Sequence, residues 1–368
     1  MKKITVIALL LAAALGTQAR NGSGKPAYKD ASRPVEERVS DLLSRMTLEE
    51  KVAILHAQSK FSSAGVPRLG IPEVWCTDGP HGIRPEVLWD EWDQAGWTND
   101  SCTAFPALTC LAATWNPEMS ALYGKSIGEE ARYREKDILL GPGVNIYRTP
   151  LNGRNFEYMG EDPYLSSRMV VPYIEEVQKN GVAACVKHFA LYGASESGRD
   201  YNTVDMSRLR MYNEYLAPYK AAVDAGVGSI MSSFNIVDGI PATANKWLLT
   251  DLLRNEWGFG GLLVTDYNSI AEMSSHGVAP LKEASIRALQ AGTDMDMVSC
   301  GFLNTLEESL KEAKVTEEQI NMACRRVLEA KYKLGLFSNP YKYCDALRAK
   351  EKLYTPEPVS YTHLRAHE

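Results

Sequence analysis

The sequence predicts an α/β protein, a (β/α)8 TIM-type barrel of irregular form. Three observations carry this. Short apolar runs alternate with amphipathic stretches, the pattern of a parallel sheet whose strands are joined by helices. Polar residues gather where those runs end: Asp78, His188, Asn235, Asp266 and Asp296 all stand at or just after one, and in a barrel that end of the strands is the functional face. Neither G-x-G-x-x-G nor G-x-x-x-x-G-K-[ST] occurs, whereas an open doubly wound sheet concentrates its chemistry beside a glycine-rich phosphate loop.

Each element has its own signal. Thr47 and Glu50 form a capping box that opens a helix through Val52, Ile54 and Leu55. The run 71–77 reads as a strand that delivers Asp78. A helix over 121–134 leads into a strand over 137–140 and the Gly141-Pro142 loop. The stretch 156–167 lacks periodicity and reads as a long ordered loop. Val170, Tyr173, Ile174 and Val177 then follow helical spacing and stop at Asn180-Gly181, a C-cap signal. A strand over 182–186 ends at Lys187-His188, a helix covers 206–225, and a strand over 228–234 ends at Asn235. Leu248, Leu249, Leu252 and Leu253 form one helical face, and the strand 262–265 ends at Asp266. A helix over 281–290 precedes Gly292-Thr293-Asp294-Met295-Asp296. Thr316 and Gln319 cap a last helix whose stripe is Ile320, Ala323, Cys324, Val327 and Leu328.

The two ends fall outside this pattern. Lys2 and Lys3 precede an apolar run over 4–15 and then the small residue Ala19, the arrangement of a cleaved export signal; the run is short for a bilayer span. Residues 1–19 are assigned to a signal peptide, 20–340 to the barrel and 341–358 to the start of an interdomain linker. Residues 359–368 resemble the in-frame translation of a transposon-end adapter used in sequencing libraries, so the gene is expected to continue past about Pro358. Periplasmic or secreted location follows from the signal.

Composition narrows the partners. The 368 residues are 45% hydrophobic and 23% charged with a formal net charge of −6, a poor match to nucleic-acid phosphates or anionic membranes. A neutral small molecule is the expected substrate, with no membrane partner once the signal is removed; a homodimer stays open. Seven cysteines (76, 102, 110, 185, 300, 324, 344) are scattered without a C-x-x-C, which argues against structural zinc. Cys102 and Cys110 are near enough in sequence to pair in an oxidising compartment, although as a set the cysteines read as small buried hydrophobes. Neither H-x-H nor H-E-x-x-H occurs, so neither a metal nor another cofactor is expected.

The motifs Asp78-Gly79-Pro80-His81-Gly82-Ile83-Arg84, Gly153-Arg154-Asn155-Phe156-Glu157, Gly160-Glu161-Asp162-Pro163, Lys187-His188-Phe189 and Val264-Thr265-Asp266-Tyr267 resemble those of family-three glycoside hydrolases in order and spacing, from roughly Pro34 to Pro340. The resemblance implies a retaining, exo-acting β-glycosidase acting on a small carbohydrate, with Asp266 as nucleophile. Asp78, Arg154, Lys187, His188, Met231 and Tyr267 are then the substrate-binding set. Arg154 and Lys187 are the cations expected to keep Asp266 ionised. On the residues alone, Asp78 and Asp266 could equally be helix N-caps. Glu157 and Glu161 read as loop-ordering groups, and His81 and Asp296 as structural. Trp75 and Trp115 could stack on a sugar or lie in the core.

The resemblance is to the β-glucosidase branch, releasing terminal β-D-glucose. Arg148-Thr149-Pro150-Leu151-Asn152-Gly153-Arg154 departs from the R-D-P-R-W-G-R of the β-xylosidase type, and the histidine of the hexosaminidase branch is missing after Phe189. Tyr267 replaces a usual Trp, and Phe234 a Tyr found in many relatives. The branch's acid/base is a Glu of a following α/β-sandwich domain, which this chain is expected to lack. A β-xylosidase or related exo-glycosidase, and a catalytically incomplete sugar-binding fragment, are the alternatives.

Overall fold

The computed structural model describes residues 25–85, 87 and 102–339. The assigned signal peptide, the linker start and the adapter-like tail lie outside the described residues.

Two helices open the described fold, α1 (Val35–Leu43) and α2 (Leu48–Ile54), the second with both halves of the Thr47–Glu50 capping box in place. They lead to a hairpin of β1 (Ala57–Ser59) and β2 (Ser62–Ser63), then to β3 (Val74–Asp78). After α3 (Leu108–Ala112) and α4 (Pro117–Tyr133) the units repeat: β4 (Ile138–Leu140), α5 (Pro163–Lys179), β5 (Ala183–Phe189). A small side sheet of β6 (Thr203–Val204), β8 (Ile236–Val237) and β9 (Ile240–Pro241) stands apart. The barrel resumes with α6 (Ala217–Asp224), β7 (Ser229–Ser232), a π-helix (Trp247–Glu256) and β10 (Leu262–Val264). Four helices complete it: α7 (Ser269–Ser275), α8 (Leu281–Ala291), α9 (Gly301–Lys311) and α10 (Glu317–Lys333).

The main sheet has seven strands in the order β1-β2-β3-β4-β5-β7-β10. From β3 to β10 every pairing is parallel, while β2 pairs antiparallel with both β1 and β3. Met295 bridges Val264 and Asp296 bridges His56, both in parallel. Met295-Asp296 is thus an eighth stave that joins the last strand to the first. The barrel closes, and β2 is the irregular stave.

Strands β4, β5, β7 and β10 are buried along their whole length, as expected where one face meets the interior and the other meets helices. Alternation sorts their side chains. Cys76, Ile138, Leu140, Cys185, Met231, Leu262 and Val264 share one core cluster, whereas Leu139, Ala184, Val186, Ile230 and Leu263 pack into another with the helices α3 to α6.

Two expectations need correction. The stretch 156–167 is not all loop, because α5 begins at Pro163, capped by Asp162, whose Oδ1 accepts from Tyr164 N at 2.8 Å and Leu165 N at 3.0 Å. Asp-Pro supplies an N-cap and a Pro at the first helical position, a local signal that hydrophobic periodicity does not see. The helix expected over 206–225 is broken instead: residues Met211–Tyr215 form a π turn, and α6 starts afresh around Pro218, which has no N–H to continue an α ladder.

Candidate active site

The strand ends converge as a barrel requires. Asp78 closes β3, Arg154 lies on the loop after β4, Lys187 lies near the end of β5, Met231 is on β7, and Asp266 and Tyr267 follow β10. These six line one open pocket of about 280 Å³, together with Phe61, Leu140, Tyr201, Phe234, Glu272 and Met297.

Charge is organised in a chain across its floor. Lys187 Nζ donates to Asp78 Oδ1 at 3.1 Å, and Arg84 stands 3.6 Å from the other Asp78 oxygen. Burial works to raise the Asp78 pKa, but Lys187 and Arg84 outweigh it and hold the carboxyl below its usual range. Burial likewise opposes the Lys187 charge, and Asp78, Glu157 and Asp266 override it. Both partners therefore stay charged. Glu157 is buried between the two cations, accepting from Arg154 Nε at 2.5 Å and standing 3.8 Å from Lys187 Nζ. It orders the loop and is not on the pocket wall, and Glu161 is exposed elsewhere.

Asp266 is the chemical focus. Its Oδ1 accepts from Tyr267 N at 2.7 Å. Its Oδ2 is buried without a hydrogen-bond partner, 3.9 Å from Arg154 Nη1 and 3.4 Å from His188 Nε2. Burial pushes this carboxyl up to about 7 although Arg154 and Lys187 pull it down. The two cations moderate the cost of burying the charge without cancelling it.

His188 sits differently from its neighbour. Alternation sends Lys187 to the pocket and leaves His188 fully buried, with Arg154 Nη2 at 3.0 Å from Nε2 and Tyr158 Oη at 3.1 Å from Nδ1. Burial and the two cations keep its pKa well below the usual imidazole value. A neutral ring that accepts from Arg154 at Nε2 carries its proton on Nδ1, facing Tyr158. In this arrangement His188 touches Arg154 and is not on the pocket wall.

The remaining expected residues separate cleanly. His81 Nε2 accepts from Leu108 N at 3.2 Å, at the start of α3. Asp296 Oδ2 accepts from Gly301 N and Phe302 N at the start of α9. Asn235 is buried, with Nδ2 donating to Ala190 O. Trp75 and Trp115 are not on the pocket wall, and Trp115 is 72% exposed. Cys102 and Cys110 are both free thiols. Sequence reasoning missed Phe61, Tyr201, Glu272 and Met297. They arrive from the β1–β2 hairpin, a loop, α7 and the residue just after the closing stave.

Among the described residues no helix is long and apolar enough to cross a membrane. The chain matches the description "Glycosyl hydrolase family 3 N terminal domain" over residues 38–330. It is 48% identical over 361 residues to "Beta-glucosidase BoGH3A" of Bacteroides ovatus, covering 97% of this chain and 48% of that protein. It is 35% identical to "Periplasmic beta-glucosidase" of Salmonella typhimurium, covering 83% of this chain and 43% of that protein. The crystal structure of a beta-glucosidase from Listeria innocua in complex with glucose superposes with a TM-score of 0.78 at 30% identity, over 90% of this chain and 51% of that one. The chain thus spans about half the length of the relatives it matches.

Proposed function

The chain belongs to glycosyl hydrolase family 3, and from that premise we propose that it serves retaining, exo-acting hydrolysis of β-glucosides through a covalent glycosyl-enzyme on Asp266. One observation carries the assignment of the nucleophile: Asp266 Oδ2 is a buried carboxylate oxygen with no hydrogen-bond partner, on a residue that lines the pocket. Leaving such an atom unpaired is costly, and a reaction that needs its lone pair accounts for it.

In the first step Oδ2 attacks the anomeric carbon as the glycosidic C–O bond breaks, and the leaving oxygen takes a proton from a carboxylic acid. Water then displaces Asp266 with retained configuration. Asp78 and Lys187 grip hydroxyls of the terminal sugar. Arg154, fixed by Glu157 and His188, faces both the sugar and Oδ2. Met231 and Tyr267 supply apolar contact. A pocket of about 280 Å³ has little room beyond one sugar ring, which favours removal of one terminal residue, exo action. The proton donor is not assigned to the barrel; the family resemblance implies a Glu of a sandwich domain in that role. Export to the periplasm or the medium follows from the assigned signal peptide.

A 2-deoxy-2-fluoroglucoside with a good leaving group tests this, because an activated substrate needs little acid assistance. Mass spectrometry is expected to find one glycosyl adduct on the peptide holding Asp266. An adduct on another carboxylate, or glucose binding with no adduct at all, would overturn the nucleophile assignment.

A further inference from the structure

His188 stands between Arg154 and the proposed nucleophile, with Nε2 at 3.0 Å from Arg154 Nη2 and 3.4 Å from Asp266 Oδ2. What this nitrogen does to each neighbour depends on whether it carries a proton. Protonated, it would donate to Oδ2 and oppose the N–H of Arg154. Bare, it accepts from Arg154 and offers Oδ2 nothing.

The ring has little freedom to move away from that choice. Its backbone N donates to Asn145 Oδ1 at 2.9 Å, and its backbone O accepts from Asn145 Nδ2 at 3.0 Å and Tyr219 Oη at 2.6 Å. Tyr158 and Tyr192 meet the ring edge-on, with centroids at 6.0 Å and 5.5 Å. Gly143 leaves space for the first of these, since a Cβ there would lie 2.9 Å from Tyr158 Cδ1.

The place of the proton follows from which partners can accept. A guanidinium has donors only, so Arg154 requires a lone pair on Nε2. The proton of the neutral ring then sits on Nδ1, wholly buried, where it needs an acceptor of its own. Tyr158 Oη is 3.1 Å from Nδ1, and a hydroxyl accepts as readily as it donates.

We propose that Tyr158 is a positioning residue for the nucleophile: by accepting from His188 Nδ1–H it keeps Nε2 bare, and so keeps Asp266 Oδ2 free of a hydrogen bond. Its use in catalysis rests on the glycosidase reading; its geometry does not. A hydrogen bond to Oδ2 would stabilise the carboxylate and blunt its attack. The unpartnered state of Oδ2 is thus enforced from two residues away. Without the Tyr158 hydroxyl, Nδ1–H is stranded. Moving the proton to Nε2 then gains Oδ2 as acceptor and sacrifices the bond from Arg154.

The test is NMR of the chain labelled with 15N-histidine and 13Cγ-aspartate, the two signals being assigned with His188→Gln and Asp266→Asn. In the parent, His188 is expected to carry its proton on Nδ1 across about pH 5 to pH 9. Tyr158→Phe removes one oxygen and keeps the ring. In that variant the proton is expected on Nε2, and the midpoint of the Asp266 carboxyl titration is expected to fall by about one pH unit. Asp266 also faces Arg154, Lys187 and Glu157, and Tyr158→Phe leaves all three in place. The rate of adduct formation with the fluorinated glucoside should drop about ten-fold on its high-pH plateau, with its midpoint moved down alike. A parent ring protonated at Nε2 overturns the inference, as does a variant in which either the proton or the carboxyl midpoint stays put. A slower plateau with an unmoved midpoint also overturns it, being what a merely structural defect produces. A parent that forms no adduct overturns the nucleophile assignment, while the two NMR readouts still decide the role of Tyr158.

Discussion

Replacing Asp266 by Asn probes the site through folding stability, with no substrate required. Burial lifts this carboxyl from 3.8 to about 7, so the folded chain keeps a proton that the unfolded chain has already lost. Between about pH 4 and pH 7 the native state binds more protons than the unfolded one, and stability falls as pH rises through that window. At about 1.4 kcal/mol per pH unit the span amounts to about 4 kcal/mol. Asn has the shape of the neutral acid and cannot ionise. The variant is therefore expected to match the parent within about 1 kcal/mol near pH 4 and to exceed it by up to about 4 kcal/mol at pH 8. Urea unfolding followed by circular dichroism at steps from pH 4.5 to 8.5 measures this. Taking variant minus parent at each pH cancels the other titrating groups. A difference that stays flat with pH would refute the reasoning. A variant less stable than the parent at pH 8 would show that Arg154 and Lys187 outweigh burial after all.

With Asp266 as the proposed nucleophile, the rate of adduct formation with the fluorinated inactivator should climb through about pH 7 and level off above it, and stopped-time mass spectrometry would expose a flat profile. Glu157→Gln removes the charge between Arg154 and Lys187, so glucose affinity by calorimetry should drop about ten-fold and stability by roughly 3 kcal/mol. Lys331 is a fully buried lysine on α10 whose Nζ donates to Ala64 O and Pro72 O at 2.7 Å, and burial holds its pKa down to about 7 against the usual 10.5. The unfolded chain binds the extra proton between those values, so this residue's contribution to stability rises from about pH 7 to pH 10.5. Lys331→Met should erase that slope, read as parent minus variant in urea unfolding at pH 7 and pH 10.

Much of the fold could be read from apolar runs, since parallel strands buried on both faces leave an unbroken hydrophobic signature. Leu262-Leu263-Val264 announces both its strand and the position of Asp266. The hairpin that carries Phe61 could not be read that way, because Ser59, Lys60, Ser62 and Ser63 surround the phenylalanine with polar residues. The closing stave is only Met295-Asp296, too short for any period to register. Side-chain direction was the harder part. Lys187 and His188 are adjacent in one motif, yet successive residues of a strand point to opposite faces, and only Lys187 reaches the pocket wall. The effect of the cations on Asp266 had the right sign from sequence, but burial, which no motif encodes, turned out larger. Tyr201 and Glu272 meet through the packing of a loop on a helix, and nothing in their local sequence marks them.

The Met295-Asp296 stave also has a bearing on how the molecule breathes. On one side Thr265 N donates to Met295 O at 3.0 Å, Met297 N to Thr265 Oγ1 at 2.9 Å, and Asn268 N to Met297 O at 2.8 Å. On the other, Asp296 N donates to Leu55 O at 2.9 Å and Ala57 N to Asp296 O at 3.1 Å. The residues on either side of Asp266 are thus laced to the same short segment that seals the cylinder. An opening of that seam exposes the amides of Ala57 and Thr265 to deuterium together, and it also releases the backbone under Asp266. Exchange protection at those two positions therefore reports on ring closure and on the register of Asp266 as one event.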